Sequence, residues 1–244
     1  MAVYAISDLH LSYGVNKPMD IFGDRWVNYM DKLKENWEKT IKRDDYTLIP
    51  GDISWATYLD QAKKDFEFIE NLPGRKIISK GNHDYWWTTM SKLKKFLENN
   101  NFKTIDFMHN NSYNIQSFIV CGARGWKCPG DDGFTLEDKK IYERELNRLE
   151  LSLNNVDKDA KSEDIIVMMH YPPFNSSKEP SGFVEIMREY GVKKCLYGHL
   201  HGISFNNAVE GKIEGIDFKL VSSDYLSFMP FDISKDVNES LNHL

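Results

Sequence analysis

Short apolar runs alternate along the chain with longer stretches whose apolar positions recur at helical spacing. The runs at residues 2–6, 46–49 and 76–79 predict strands. Between them, residues 24–42 carry Trp26, Tyr29, Met30, Leu33 and Trp37 at helical spacing, and residues 58–70 turn Phe66 and Ile69 inward. Residues 88–99 predict a third helix, closed by asparagines that suit a C-terminal cap. The stretch 103–121 predicts two or three strands around an Asn110-Asn111 turn. A charged amphipathic helix follows at 136–153. Residues 164–169 are almost wholly apolar, as in a strand buried on both faces. A helix at 183–190, a strand at 193–197 and a hairpin over 203–221, turning at Glu210-Gly211, complete the pattern. From about 232 the chain turns polar and is expected to fray.

Alternating strands and helices, followed by strand-rich segments, predict a layered α/β domain with a central mixed sheet. No repeat or low-complexity linker divides it, so residues 1–244 are expected to form one domain.

Composition narrows the function. Hydrophobic residues make up 41% of the chain, enough for a sizeable core without disulfide staples. The formal net charge is −6, and no basic face is evident, which argues against nucleic acid as the partner. Lys92, Lys94 and Lys95 read as a solvated helix face. An acidic surface repels phosphate, so a phosphate site here must carry its own positive charge. The cysteines, Cys121, Cys128 and Cys195, include no C-x-x-C pair. Cys121 and Cys195 fall in or at the end of apolar runs and read as buried thiols of a reducing compartment. The N-terminus lacks the pattern of a signal peptide and no run is long enough to span a membrane, so a cytoplasmic protein is expected.

Five motifs each follow a predicted strand: Asp8-Leu9-His10, Gly51-Asp52, Gly81-Asn82-His83-Asp84, His170, and Gly198-His199-Leu200-His201. In open α/β sheets, ligands collect beyond the carboxyl ends of strands, so these loops are expected to converge. Five of the seven histidines lie in them, leaving His109 and His243 as bystanders. Singly, each motif has an ordinary structural reading: a turn, a helix cap, a satisfied core histidine. Gly-His-x-His is stronger, because alternate residues of an extended segment reach two ions from one loop. Asp, Asn and His without thiolate suit Mn, Fe, Zn, Co or Ni better than calcium.

In this order the motifs resemble the calcineurin-like metallophosphoesterase superfamily, over residues 8–201. Through Gly51-Asp52-Ile53-Ser54-Trp55, Tyr85-Trp86-Trp87 and His170-Tyr171-Pro172-Pro173 the chain resembles an uncharacterised bacterial branch of it. The resemblance implies a four-layer α/β/β/α sandwich with two central mixed sheets. It implies two divalent ions, with Asp8, His10, Asp52 and His201 holding one and Asp52, Asn82, His170 and His199 the other. Asp52 would bridge them, and a metal-bridging hydroxide would attack a phosphate mono- or diester. Two such ions carry four positive charges; the two aspartates and the hydroxide offset three, leaving positive charge for the phosphate. His83 would stabilise the transition state or protonate the leaving group, and Asp84 would orient and charge it.

The chain departs from the family's pattern at Trp55 and at Trp86-Trp87, positions where polar residues are common. Trp86, Trp87 and Trp126 become candidates for the pocket wall, with core packing favoured for Trp87. Arg124 is a candidate phosphate clamp. Loops 11–22, 127–134 and 171–182 are candidate lids or specificity elements. The expected substrate is a small phosphorylated metabolite, nucleotides included. A nuclease, a protein phosphatase and a non-catalytic metal-binding scaffold are the alternatives.

Overall fold

A computed structural model describes residues 1–156 and 164–234. The first sheet is built from β1 (Val3–Ala5), β2 (Tyr46–Ile49), β3 (Arg75–Ile78) and β4 (Ile105–Phe107), all parallel. The second takes β5 (Tyr113–Ile115), β6 (Phe118–Ala123), β7 (Asp164–Met169), β8 (Lys194–Tyr197), β9 (Gly211–Ile213) and β10 (Ile216–Leu220). Its order is β5-β6-β7-β8-β10-β9, parallel in the centre and antiparallel at both edges. The last strand, β11 (Phe231–Asp232), returns to the first sheet and pairs antiparallel with β1. Both sheets are therefore mixed.

Side-chain alternation along the strands creates the layers. Val3 and Ala5 of β1, Ile166 and Met168 of β7, and Leu196 of β8 meet in a core between the sheets. Tyr4 and Ile6 face outward into a second core with α1 (Tyr29–Thr40), α2 (Lys63–Asn71) and α3 (Met90–Asn99). Val167, Met169, Cys195 and Tyr197 face a third core with α4 (Leu136–Leu153) and α5 (Gly182–Glu189). Three cores between four layers give the expected α/β/β/α sandwich. The sheets touch beyond their strands at Ser7, whose N–H donates to Val221 O at 2.8 Å.

Several sequence expectations are corrected. The helix expected over 24–42 begins only at Tyr29, because Gly23 (φ 120°) and Asn28 (φ 53°) leave the right-handed helical region. Two short 3₁₀ turns, Asp20–Phe22 and Asp24–Trp26, take its place. The helix expected from residue 58 starts at Lys63. The Asn110-Asn111 turn stands where expected, and it joins β4 of one sheet to β5 of the other. The hairpin turn falls at Glu214-Gly215, not Glu210-Gly211. Both residues have positive φ, 50° and 86°, as a two-residue turn between twisted strands requires. At 232 the chain is still ordered, with β11 paired and Ile233 fully buried; residues 235–244 of the polar tail lie outside the described residues. His243 lies outside the described residues.

Candidate metal centre

Five parallel strands end by delivering a motif to one edge of the sandwich. Asp8 and His10 follow β1, Asp52 follows β2, and Asn82 and His83 follow β3. His170 follows β7, while His199 and His201 follow β8. The loops are pinned to one another by main-chain bonds: Asp8 N–H to Gly51 O at 3.0 Å, His10 N–H to Asp52 O at 3.0 Å, and Gly198 N–H to His170 O at 3.1 Å. Asp8, His10, Asp52 and His199 all have φ between 46° and 73°, in the left-handed region that non-glycine residues rarely occupy. Glycine is required where the loops pass closest. A Cβ at Gly81 would lie 2.0 Å from Asp52 Oδ1, and one at Gly198 would lie 2.3 Å from Asp8 Oδ2.

Side-chain donors converge accordingly. His201 Nε2 lies 3.3 Å from Asp8 Oδ1 and 3.4 Å from His10 Nε2. His170 Nε2 lies 2.6 Å from Asn82 Oδ1 and 3.2 Å from His199 Nδ1. Asp52 Oδ2 stands between these two groups, 3.8 Å from His10 Nε2 and 3.5 Å from His170 Nε2. Ligand atoms bound about 2.1 Å from a shared ion stand roughly 3–3.5 Å apart, so the spacing fits a metal. Asp8, His10 and His201 form one group able to hold an ion, and Asp8, Asp52 and His170 another.

The electrostatics fit as well. Burial pushes His170 down to about 3 and His199 down to about 4, which keeps both imidazoles neutral and free to ligate. Burial acts the same way on His201, but Asp8 and Asp224 outweigh it and raise this group to about 10. A divalent ion would take the place of that proton between the carboxylates. Burial also raises Asp52, aided by the neighbouring charges of Asp84 and Asp8; a cation relieves that repulsion.

Not every expected residue takes its expected place. Asp84 is buried and accepts the N–H groups of Gly81 (2.7 Å), Asp52 (2.9 Å), Ile53 (2.9 Å) and Ser54 (3.3 Å). No hydrogen bond joins it to the His83 ring, whose Nδ1 is buried without a partner among the described residues. Asp84 thus organises the loops instead of orienting His83. Trp86 is buried against Phe66 with its Nε1 donating to Asp84 Oδ1 at 3.0 Å, and it does not line the cavity at the centre's mouth. Trp126 is half-buried, with its Nε1 on Asp138 at 2.9 Å and the Arg124 guanidinium 4.5 Å from its ring. Arg124 pairs with Glu145 at 3.4 Å and lines a different cavity.

The aromatic wall comes from other residues. Trp55 stacks on His10, ring centroids 4.8 Å apart, and lies 4.5 Å from His83. Trp26 meets the His10 and His201 rings, each at 5.7 Å. Together with Met19, Phe22 and His83 they line a cavity of about 530 Å³ at the centre's mouth. Of the candidate lids, only the loop over 11–22 contributes to it. Asp224, just after β10, accepts from His201 Nδ1 at 2.8 Å. An aspartate after a strand was the available signal, but nothing local distinguished it from a turn residue.

Imidazole and carboxylate donors without a thiolate, carried to one edge by the strands of both sheets, place the molecule among metal-dependent hydrolases. The chain belongs to the calcineurin-like phosphoesterase family, whose profile matches residues 1–202. It is a metal-dependent phosphoester hydrolase. Among solved structures it is similar to a protein of unknown function from Aquifex aeolicus, with 18% identity, TM-score 0.52 and 98% of each chain covered. It is also similar to a phosphopantetheinyl hydrolase from Mycobacterium tuberculosis, with 11% identity, TM-score 0.57, and 96% and 95% of the two chains covered. At such identities the likeness is one of fold. No curated protein matches the chain. None of the described helices is long and apolar enough to cross a membrane.

Proposed function

We propose that the chain hydrolyses the phosphate mono- or diester of a small molecule at a dinuclear centre. The observation that carries this reading is the position of Asp52 Oδ2, 3.8 Å from His10 Nε2 and 3.5 Å from His170 Nε2, between two donor groups. Asp8, His10, Asp52 and His201 would hold one ion, and Asp52, Asn82, His170 and His199 the other. Mn, Fe or Zn suits this nitrogen and oxygen set. When bound, the ions supply a water of lowered pKa and Lewis-acid stabilisation of the phosphoryl oxygens.

The chain's own residues do the rest. His170 is aimed by Pro50 O, 3.0 Å from its Nδ1, and His201 by Asp224. Asp52 Oδ1 accepts the His83 N–H at 2.8 Å, which ties the loop carrying His83 to the bridge position. With Nδ1 of His83 buried, its Nε2 is the nitrogen available to the cavity, and it holds the proton given to the leaving oxygen. Trp26 and Trp55 exclude water and receive the organic half of the substrate. That aromatic mouth, on a chain of net charge −6, favours a small metabolite, a nucleotide among them, over a polynucleotide or a protein. Three free, buried cysteines support a cytoplasmic setting.

The test is hydrolysis of bis-p-nitrophenyl phosphate against p-nitrophenyl phosphate, after reloading metal-stripped protein with Mn, Fe, Zn, Co or Ni in turn. Turnover of either ester that requires about two equivalents of metal supports the reading. Full turnover at one equivalent refutes the dinuclear centre. Two bound equivalents without turnover of any ester, nucleotides included, would favour the scaffold alternative.

A further inference from the structure

Between the carboxyl ends of β3 and β6 lies a second cavity, of about 350 Å³, which shares no lining residue with the aromatic mouth. Three cations line it: Lys80 just beyond β3, Arg124 just beyond β6, and Arg148 on α4. Glu145 is the one carboxylate on its wall. A single oxygen of that group, Oε1, is shared by Arg148 at 2.6 Å, Arg124 at 3.4 Å and Arg144 at 3.7 Å. The guanidiniums are therefore only partly neutralised. Lys80 has no hydrogen-bond or ion-pair partner among the described residues. Ser79, 1% exposed, lines the same wall, and its hydroxyl is also without a partner among the described residues.

Gathered cations on a concave wall repel one another, and an anion between them removes that cost. Guanidinium and ammonium donors on several sides suit a tetrahedral oxyanion, which accepts charge-assisted bonds from all of them. We propose that this cavity is a second ligand site, separate from the metal centre, which binds a phosphate group. The space exceeds that of free phosphate, leaving room for a small organic residue beside Trp87. The site bears on the catalytic loops. Ser79 and Lys80 run directly into Gly81 and Asn82. Arg124 O accepts the N–H groups of His170 at 3.1 Å and Tyr171 at 2.9 Å. An anion held by Lys80 and Arg124 thus steadies the segments that carry Asn82, His83 and His170.

Inorganic phosphate titrated calorimetrically into the metal-loaded full chain tests this, with Lys80→Met, Arg148→Met and Asp52→Asn alongside. Two saturable events are expected in the wild type. Each basic-residue substitution should weaken one event about tenfold or more, from loss of a charge-assisted bond, and spare the other. Asp52→Asn should weaken only the event that Lys80→Met spares. Phenylphosphonate, whose C–P bond resists hydrolysis, separates the sources. Tighter binding than phosphate at the Lys80-dependent site indicates a phosphorylated organic ligand; equal binding indicates free phosphate. The proposal fails if the wild type shows one event that Asp52→Asn abolishes and neither basic-residue variant alters. Two variants guard against one failing to fold, and the metal-centre event in the same titration reports that the chain is intact.

Discussion

The two ends of the first sheet bury polar groups in opposite ways. At the amino end, Lys76 is fully buried, but its amine donates to Leu72 O and to Thr104 Oγ1. Glu70 accepts the N–H groups of Lys103 and Thr104, and Asp45 accepts those of Ala2 and Lys42. At the carboxyl end, His10 Nδ1, His83 Nδ1 and Ser79 Oγ are buried without partners among the described residues, as is Arg124 Nε beside them on the second sheet. Three backbones there, at Asp8, His10 and Asp52, also sit in the left-handed region, at a cost of about 1–3 kcal/mol each. Apart from Thr47 Oγ1, which is buried without a partner beside Lys76 in β2, the amino end closes its own hydrogen bonds and serves stability. The other is held in place by the rest of the fold with its polar atoms unmatched, as a surface built for ligands must be.

Substitutions at the two ends should therefore be read by different measurements. The largest effect is expected at the bridge: Asp52→Asn keeps the shape and the oxygen that accepts from His83. It should lower kcat by about 10⁴-fold, roughly 5 kcal/mol of barrier, and reduce bound metal on elemental analysis. Retention of two tightly held equivalents would remove Asp52 from the bridge. His83→Ala should keep its metal and lose about 10²–10³-fold in kcat, the usual share of a general acid. Activity near wild type would show that another group protonates the leaving oxygen.

Asp84 tests the comparison from inside the catalytic edge, because it is the group there whose bonds are satisfied. Asp84→Ala strands four buried amides and the Trp86 indole N–H. It should cost about 3 kcal/mol in denaturant unfolding, as losing a buried acceptor does. A variant as stable as wild type but inactive would return Asp84 to a chemical role. The smallest effect belongs to Lys76, whose pKa burial lowers to about 8. Since the unfolded lysine titrates near 10.4, the unfolded chain binds more protons between these values, and folding stability rises with pH through that window. Relative to Lys76→Met, the wild type should gain about 2 kcal/mol between pH 7.5 and 10. An unchanged difference would mean that the amine stays protonated in the fold.

How much of this could be read before the fold was known depends on what kind of signal each residue carries. The candidate ligands were legible as a group because each follows an apolar strand, and parallel strands bring their carboxyl ends together. Asp224 follows the same rule but lies beyond Gly198-His199-Leu200-His201, and it meets His201 only because β10 pairs with β8. Trp86 was misassigned and Trp55 passed over for one reason. Both adjoin a motif, and adjacency along the chain does not say which side of a turn a ring takes. Trp86 turns under the loop onto Phe66, while Trp55 turns over it onto His10. Arg124 was expected at the metal centre, yet Glu145 on α4 draws it into the neighbouring cavity, a pairing across 21 residues that no local pattern announces.

Sequence alone determined the strand and helix alternation, the buried reduced cysteines, and a donor set rich in histidine and aspartate but free of thiolate. These follow from local periodicity and from the chemistry of side chains, which do not depend on what lies nearby in space. The tertiary structure alone decided which aromatic rings form the mouth, that Asp84 braces loops, and that three cations share one cavity beside the catalytic edge. Those outcomes are set by contacts between segments far apart in the chain, whose distances and orientations exist only once the two sheets have packed together.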